Sequence, residues 1–247
     1  MEAEAPLPRL VAANALLERL AADPARSGLI LDVDGTLAPI VADPAAAKVP
    51  ETTRAELARL VGCYALVACL SGRPGDVAAE IVGVEGIVYV GEHGLELEPE
   101  AQEWAARLRE FAASAGWPAE DKRLTASFHY RTAPDPEAAR AELERVADAA
   151  RAAGLRPRWG RMVLEVRPPV EADKGTAVRR LLEERSLRRA LYAGDDTTDL
   201  DAFRALDGLE VAVRVAIASP ETPPELVREA DLAFPSPEAL VGLLQAL

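Results

Sequence analysis

Three features of the sequence predict an α/β fold with a parallel sheet at its centre and a separate α+β insert. Short, almost wholly apolar runs alternate with helical stretches, as strands covered on both faces do. The alternation breaks off near residue 97 and resumes near residue 171. Between those points the strands change texture: polar and apolar residues take turns, as in half-exposed antiparallel sheets.

Taken in order, residues 8–22 (PRLVAANALLERLAA) carry apolar residues at helical spacing. Strands are expected at 28–33 (GLILDV), 63–70 (CYALVACL) and 87–90 (IVYV), with helices near 51–61 and 74–82. In the insert, EAQEWAARLREFAASAG reads as a helix, LTASFHYR as a strand, PEAARAELERVADAARAAG as a second helix and RPRWGRMVLEVRP as a strand pair. The apolar pattern then returns with a helix over 174–185, strands in RALYAGDD, LEVAVRV and DLAF, and a closing helix over 237–246. The expected division is a core of residues 1–96 and 171–247 around an insert of residues 97–170.

The 247 residues are 49% hydrophobic and 28% charged, values ordinary for a globular protein. No apolar run approaches the roughly 20 residues of a membrane helix. The opening MEAEAPLPRLV is acidic where a secretory signal is basic, so no membrane association and a cytoplasmic location are expected. A net charge of −13 argues against nucleic acid as a partner, because phosphate backbones are held by Lys and Arg. Any phosphate should be small and should meet a local positive site. Only three lysines occur, Lys48, Lys122 and Lys174, which marks each as a place to look. Cys63 and Cys69 share one apolar run and are expected as buried free thiols, too far apart along a strand to bond.

Ligands of open parallel sheets bind beyond the carboxyl ends of the strands. In LILDVDGT, Asp32 and Asp34 stand where the first strand ends, on the same side by alternation, and Gly35 permits a tight turn. An Asx turn leading into a helix cap would also place carboxylates here. A second strand end, LYAGDDTTDLDAF, presents Asp195, Asp196 and Asp199, of which some could serve only to cap the following helix. Two strand ends rich in carboxylates, with no His or Cys among them, describe an all-oxygen site suited to Mg²⁺. In LSGRPGD, Ser71 follows an apolar run, and its hydroxyl with the next free amides forms a phosphate cradle. Lys174 opens a helix and offers a point charge opposite the carboxylates.

DVDGT at 32–36, SGR at 71–73, DKG at 173–175 and GDDTTD at 194–199 resemble, in order, the four motifs of the haloacid dehalogenase superfamily of phosphohydrolases. Within it, GEHG at 91–94, SFHYR at 127–131 and GRMVLEVRP at 160–168 resemble the trehalose-6-phosphate phosphatases. The chain departs from many of these in carrying Arg161 in place of Lys, and Leu200 followed by Asp201 in place of Glu. The resemblance implies a Rossmann-like core with an inserted cap, and a Mg²⁺-dependent enzyme acting on a small-molecule sugar phosphate; a monomer is expected. It implies Asp32 as nucleophile, Asp34 as acid and base, and Ser71 and Lys174 as phosphoryl-binding groups. The implied metal donors are the Asp32 carboxylate, the Asp34 backbone carbonyl and Asp195. Asp196 and Asp199 would act as ligands through water or as anchors for Lys174. Implied substrate contacts are Gly72, Arg73, Glu92, His93, Gly94, Lys122, Ser127, His129, Arg131, Arg161 and Glu165. Sucrose-phosphate and mannosylglycerate-phosphate phosphatases are the nearest alternatives. A non-catalytic phosphate-accepting module is the more distant one, disfavoured because such a module needs neither a leaving-group acid nor an insert.

Overall fold

The computed structural model describes residues 7–41, 43–160 and 162–247, with side chains from residue 11. The chain divides into two compact units, Met1–Gly94 with Asp173–Leu247, and Leu95–Ala172.

With strands and helices numbered along the whole chain, the first unit holds β1 (Ser27–Asp32), β2 (Leu66–Leu70), β3 (Val88–Val90), β8 (Arg189–Gly194), β9 (Val211–Ile217) and β10 (Leu232–Phe234). They form one parallel sheet in the order β10-β9-β8-β1-β2-β3. Its helices are α1 (Leu7–Ala21), α2 (Glu51–Val61), α3 (Gly75–Val82), α7 (Lys174–Glu184), α8 (Asp199–Ala205), α9 (Pro224–Glu229) and α10 (Pro237–Ala246).

Every residue of β1 is buried, as expected of a central strand between parallel neighbours. Alternation divides it. Leu29 and Leu31 join Val67, Cys69, Leu191 and Val213 in a cluster sealed by Leu57 and Leu60 of α2 and Leu240 and Leu244 of α10. Gly28, Ile30 and Asp32 share the opposite face, where Gly28 lies against Leu182 of α7. The sequence therefore directs Asp32 toward the side of the sheet that α7 covers.

Register then sets the rim. Asp32 is paired with Leu70, so Ser71 stands one residue beyond it. Leu31 is paired with Ala193, which puts Asp195 one step past the level of Asp32. Neighbouring strands are about 4.8 Å apart, so three positions scattered over the chain fall within side-chain reach.

The second unit pairs β4 (Glu120–Asp121), β5 (Ala126–His129), β6 (Arg156–Gly160) and β7 (Val163–Arg167) into an antiparallel sheet, order β4-β5-β7-β6. Its helices are α4 (Pro99–Glu103), α5 (Ala105–Ser114) and α6 (Pro136–Ala152). Ala126, Phe128, Leu164 and Val166 pack with Leu108 of α5 and with Leu143, Val146, Ala147 and Ala150 of α6. The opposite face carries Ser127, Glu165 and Arg158 side by side.

Three local expectations are revised. The strand expected over 63–70 begins only at Leu66, because Gly62 and Cys63 close α2 with amides donated to the carbonyls of Arg59 and Leu60. Cys63 is therefore exposed rather than buried, while Cys69 is buried as expected. The single helix expected over 100–116 is divided at Trp104 into α4 and α5. Among the described residues no helix is long and apolar enough to cross a membrane.

Truncating the fully buried Leu31 should leave a cavity in the centre of the first sheet. Leu31→Ala is expected to cost about 3 kcal/mol, read as a lower urea midpoint at unchanged slope.

Candidate functional site

The rim of the first sheet gathers charge that ordinarily stays in water. The Lys174 side chain is 2% exposed, and its Nζ donates to Asp32 Oδ1 and to Asp199 Oδ1, each at 2.6 Å. It arrives there because Asp173 starts α7: the Asp173 carboxylate accepts the Thr176 amide and the Thr176 hydroxyl accepts the Asp173 amide. Lys174 is thereby the first residue of a helix lying over the Asp32 face of the sheet.

Asp199 is fully engaged. Its Oδ1 also accepts the Tyr192 hydroxyl at 2.7 Å, and its Oδ2 accepts the Asp195 and Asp196 amides at 2.8 Å each. Four donors occupy the roughly four lone-pair sites of a carboxylate, leaving Asp199 an anchor rather than a free donor of oxygen. Asp196 turns outward, is exposed, and accepts the Thr197 amide at 2.7 Å. Asp195 points back toward the 33–38 turn, with its Oδ1 3.4 Å from the Thr36 hydroxyl. That approach needs Gly35, whose φ is +85° and where a Cβ would lie 2.2 Å from the Asp195 carboxylate.

Burial pushes the Asp32 carboxyl well above the usual range; Lys174 opposes the rise, and Asp199 and Asp195 add to it. Burial likewise lifts Asp195 to about 7, reinforced by the charge of Asp199. For Lys174 burial works to lower the value, but Asp199 and Asp32 outweigh it and hold the ammonium charged. Burial, then Asp199, keep Tyr192 a phenol. Formally Asp32, Asp195 and Asp199 face one ammonium, so negative charge is left over for a cation. Single oxygens of these three acids lie within 4.8 Å of one another. With Asp199 saturated, Asp32 and Asp195 are the carboxylates left to hold a hard divalent ion, for which an all-oxygen set is suited.

Two neighbouring segments frame this cluster. Ser71 is buried and its Oγ accepts the Arg73 amide at 3.1 Å. The segment 91–94 is laced to it: Glu92 and His93 donate amides to the Arg73 and Ser71 carbonyls, both at 2.9 Å. Glu92 (φ 51°) and His93 (φ 55°) adopt the left-handed conformation, and Gly94 follows at φ 98°. Strain of this kind costs about 1–3 kcal/mol per residue and collects at functional sites. Gly72 lies close as well: a Cβ there would meet the tip of the His93 ring at 2.7 Å and would have to displace it.

Of the residues singled out in the second unit, Ser127 and Glu165 are register partners on its polar face, and His129 lies two residues along from Ser127. The His129 ring is exposed and 2.8 Å from Glu120. Lys122 is half-buried and Arg131 exposed, in the turns that flank β5. Arg161 lies outside the described residues. Sequence reasoning missed Tyr192 and Thr36, the first because a tyrosine in an apolar strand reads as core.

A family model described as trehalose-phosphatase matches residues 30–225, which contain every group of this cluster. The chain belongs to the trehalose-phosphatase family. It is 39% identical over 208 residues to the trehalose-phosphate phosphatase of Mycolicibacterium paratuberculosis, covering 73% of this chain and 51% of that one. It is 35% identical over 256 residues to the probable trehalose-phosphate phosphatase of Sinorhizobium fredii, covering 94% and 91%. The chain thus spans about half the length of the first of these family relatives. In fold it is similar to the C-terminal domain of the C. albicans trehalose-6-phosphate phosphatase, with a TM-score of 0.71 and 23% identity over 95% of this chain and 97% of that one.

The raised acid of Asp195 has a consequence for stability. Between its ordinary value of 3.8 and about 7, the folded chain keeps a proton that the unfolded chain has released. This group's contribution to stability therefore falls as pH rises through that window. In chelator, Asp195→Asn should raise the unfolding free energy relative to the parent chain, and by about 2 kcal/mol more at pH 8 than at pH 5.5. Equal gains at the two pH values would remove the raised acid from Asp195.

Proposed function

We propose that the chain is a Mg²⁺-dependent phosphatase that hydrolyses trehalose 6-phosphate to trehalose and phosphate through a phospho-aspartate. The observation that carries this reading is the Lys174 ammonium, buried and bound to both Asp32 and Asp199 beside Asp195. Family membership and the similarity to trehalose-phosphate phosphatases support trehalose 6-phosphate as the substrate.

Asp32 and Asp195, with the Asp34 backbone carbonyl, would hold Mg²⁺, which when bound offsets the charge of a phosphoryl group facing a carboxylate. An Asp32 oxygen attacks phosphorus, and the bond to the sugar oxygen breaks. Asp34 gives its proton to that leaving oxygen, which departs as a sugar hydroxyl. The Asp34 carboxylate next takes a proton from water as the water oxygen attacks phosphorus. The bond to Asp32 then breaks, releasing phosphate and restoring both acids to their starting forms. The Ser71 hydroxyl and the Lys174 ammonium stabilise the phosphoryl oxygens during both transfers. Sugar hydroxyls need partners that donate and accept, and the polar face of the second unit carries both kinds of group in His129 and Glu165.

Asp32→Asn should reduce turnover to background while the unfolding midpoint stays within a few degrees of the parent; retained turnover would remove the nucleophile. In a panel of sugar phosphates with Mg²⁺, kcat/KM for trehalose 6-phosphate should exceed that for sucrose phosphate and for glucose 6-phosphate by roughly 10²-fold or more, the scale set by unpaired polar groups in a mismatched sugar site.

A further inference from the structure

Asp34 differs from the buried acids Asp32, Asp195 and Asp199. It is not part of the buried cluster; its side chain is 37% exposed, at the start of the 34–38 turn. Within the turn the Gly35 amide donates to the Ala38 carbonyl, and the Leu37 and Ala38 amides donate to the Val33 carbonyl, while the Thr36 hydroxyl faces Asp195. The Asp34 carboxylate is gripped from elsewhere. Arg73 Nε donates to its Oδ2 at 2.8 Å and Arg73 Nη2 to its Oδ1 at 2.7 Å.

The guanidinium is itself tethered. Its Nη1 donates to the Pro44 carbonyl at 2.9 Å, which ties it to the segment that follows the turn. Its backbone amide is held by the Ser71 hydroxyl, and its carbonyl accepts the amide of the strained Glu92. A two-pronged contact of this kind fixes the plane of a carboxylate as well as its position, which a single hydrogen bond does not. Because the donor fork is planar and rigid, little freedom remains to either side chain.

We propose that Arg73 is a positioning residue for Asp34: it sets the orientation of the leaving-group acid and does not act chiefly as a phosphate ligand. The inference rests on the function proposed above, in which Asp34 supplies a proton to the departing sugar oxygen. Its range is also defined by that chemistry. A sugar alkoxide is a poor leaving group and needs the proton; an activated aryl phosphate expels a stable phenolate and needs it far less. A phosphate ligand, by contrast, would serve both substrates equally, since both carry the same phosphoryl group.

The experiment compares kcat/KM, which reports the steps through departure of the leaving group, on trehalose 6-phosphate and on p-nitrophenyl phosphate. General acids contribute roughly 10²–10⁴-fold, so a misplaced one should forfeit a sizeable part of that. Arg73→Ala is expected to lower kcat/KM on trehalose 6-phosphate by roughly 10²-fold and on the aryl phosphate by less than about 3-fold. Arg73→Lys, which keeps the charge but cannot grip both oxygens, should show the same selective loss at roughly 10-fold, and it covers the case in which the alanine variant does not fold. In an Asp34→Asn background, Arg73→Ala should add no further loss on either substrate. Equal losses on the two substrates, no loss in either variant, or a full additional loss in the Asp34→Asn background would each overturn the assignment. A parent chain that hydrolyses neither substrate would instead overturn the underlying phosphatase reading.

Discussion

A single ammonium group, that of Lys174, makes the rest of the site possible. Removing an ion from water costs several kcal/mol even after the protein relaxes, and here Asp32, Asp199 and Lys174 are all buried. None of the three could stand there alone. Together they satisfy one another, and the arrangement extends outward: the oxygen of Asp199 that does not face Lys174 orders the amides of Asp195 and Asp196. One interaction therefore ties β1, the start of α7 and the loop into α8, and it leaves Asp32 and Asp195 with the surplus charge that a divalent ion can neutralise.

The ammonium can act in this way only because the sheet register brings its partners to one level. Parallel strands all end on the same side, so the carboxyl ends of β1, β2 and β8 deliver Asp32, Ser71 and Asp195 to a common rim. Where the backbone must come closer than a side chain permits, glycine is present, as at Gly35 against Asp195. The strained pair Glu92–His93 sits against the Ser71–Arg73 segment through two backbone hydrogen bonds, so the neighbouring structure holds it in place. Local cost is concentrated at the rim that carries the acidic cluster, and the apolar cluster beneath the sheet offsets it.

Much of this could be read from residues alone, for identifiable reasons. Runs such as GLILDV are legible because a buried parallel strand has no other composition available to it, and acids at the ends of such runs stand out against it. Lys174 was visible through the rarity of lysine in this chain. The role of Asp199 was open between ligand and anchor, because four hydrogen bonds from three parts of the chain decide it. The grip of Arg73 on Asp34 joins residues 39 positions apart and leaves no local pattern. Tyr192 looked like packing, and it does pack, edge-on to Phe203, while its hydroxyl serves Asp199. Cys63 and Trp104 were misread for a common reason: apolar residues that end a helix or divide one are indistinguishable in composition from those that continue the element.

The central place of β1 in the sheet also orders events at the ribosome. This strand is made early, yet one of its two neighbours, β8, begins at residue 189, after the whole second unit has been synthesised. At 5–20 residues per second, Asp32 emerges roughly ten to thirty seconds before Asp199 can follow it. During that interval β1 has an open flank and its aspartate has neither Lys174 nor a cation site to meet. The nascent chain consequently passes through a period in which a strand that ends wholly buried has one edge unprotected, and binding by a holdase over that stretch of translation is where cellular assistance would matter most.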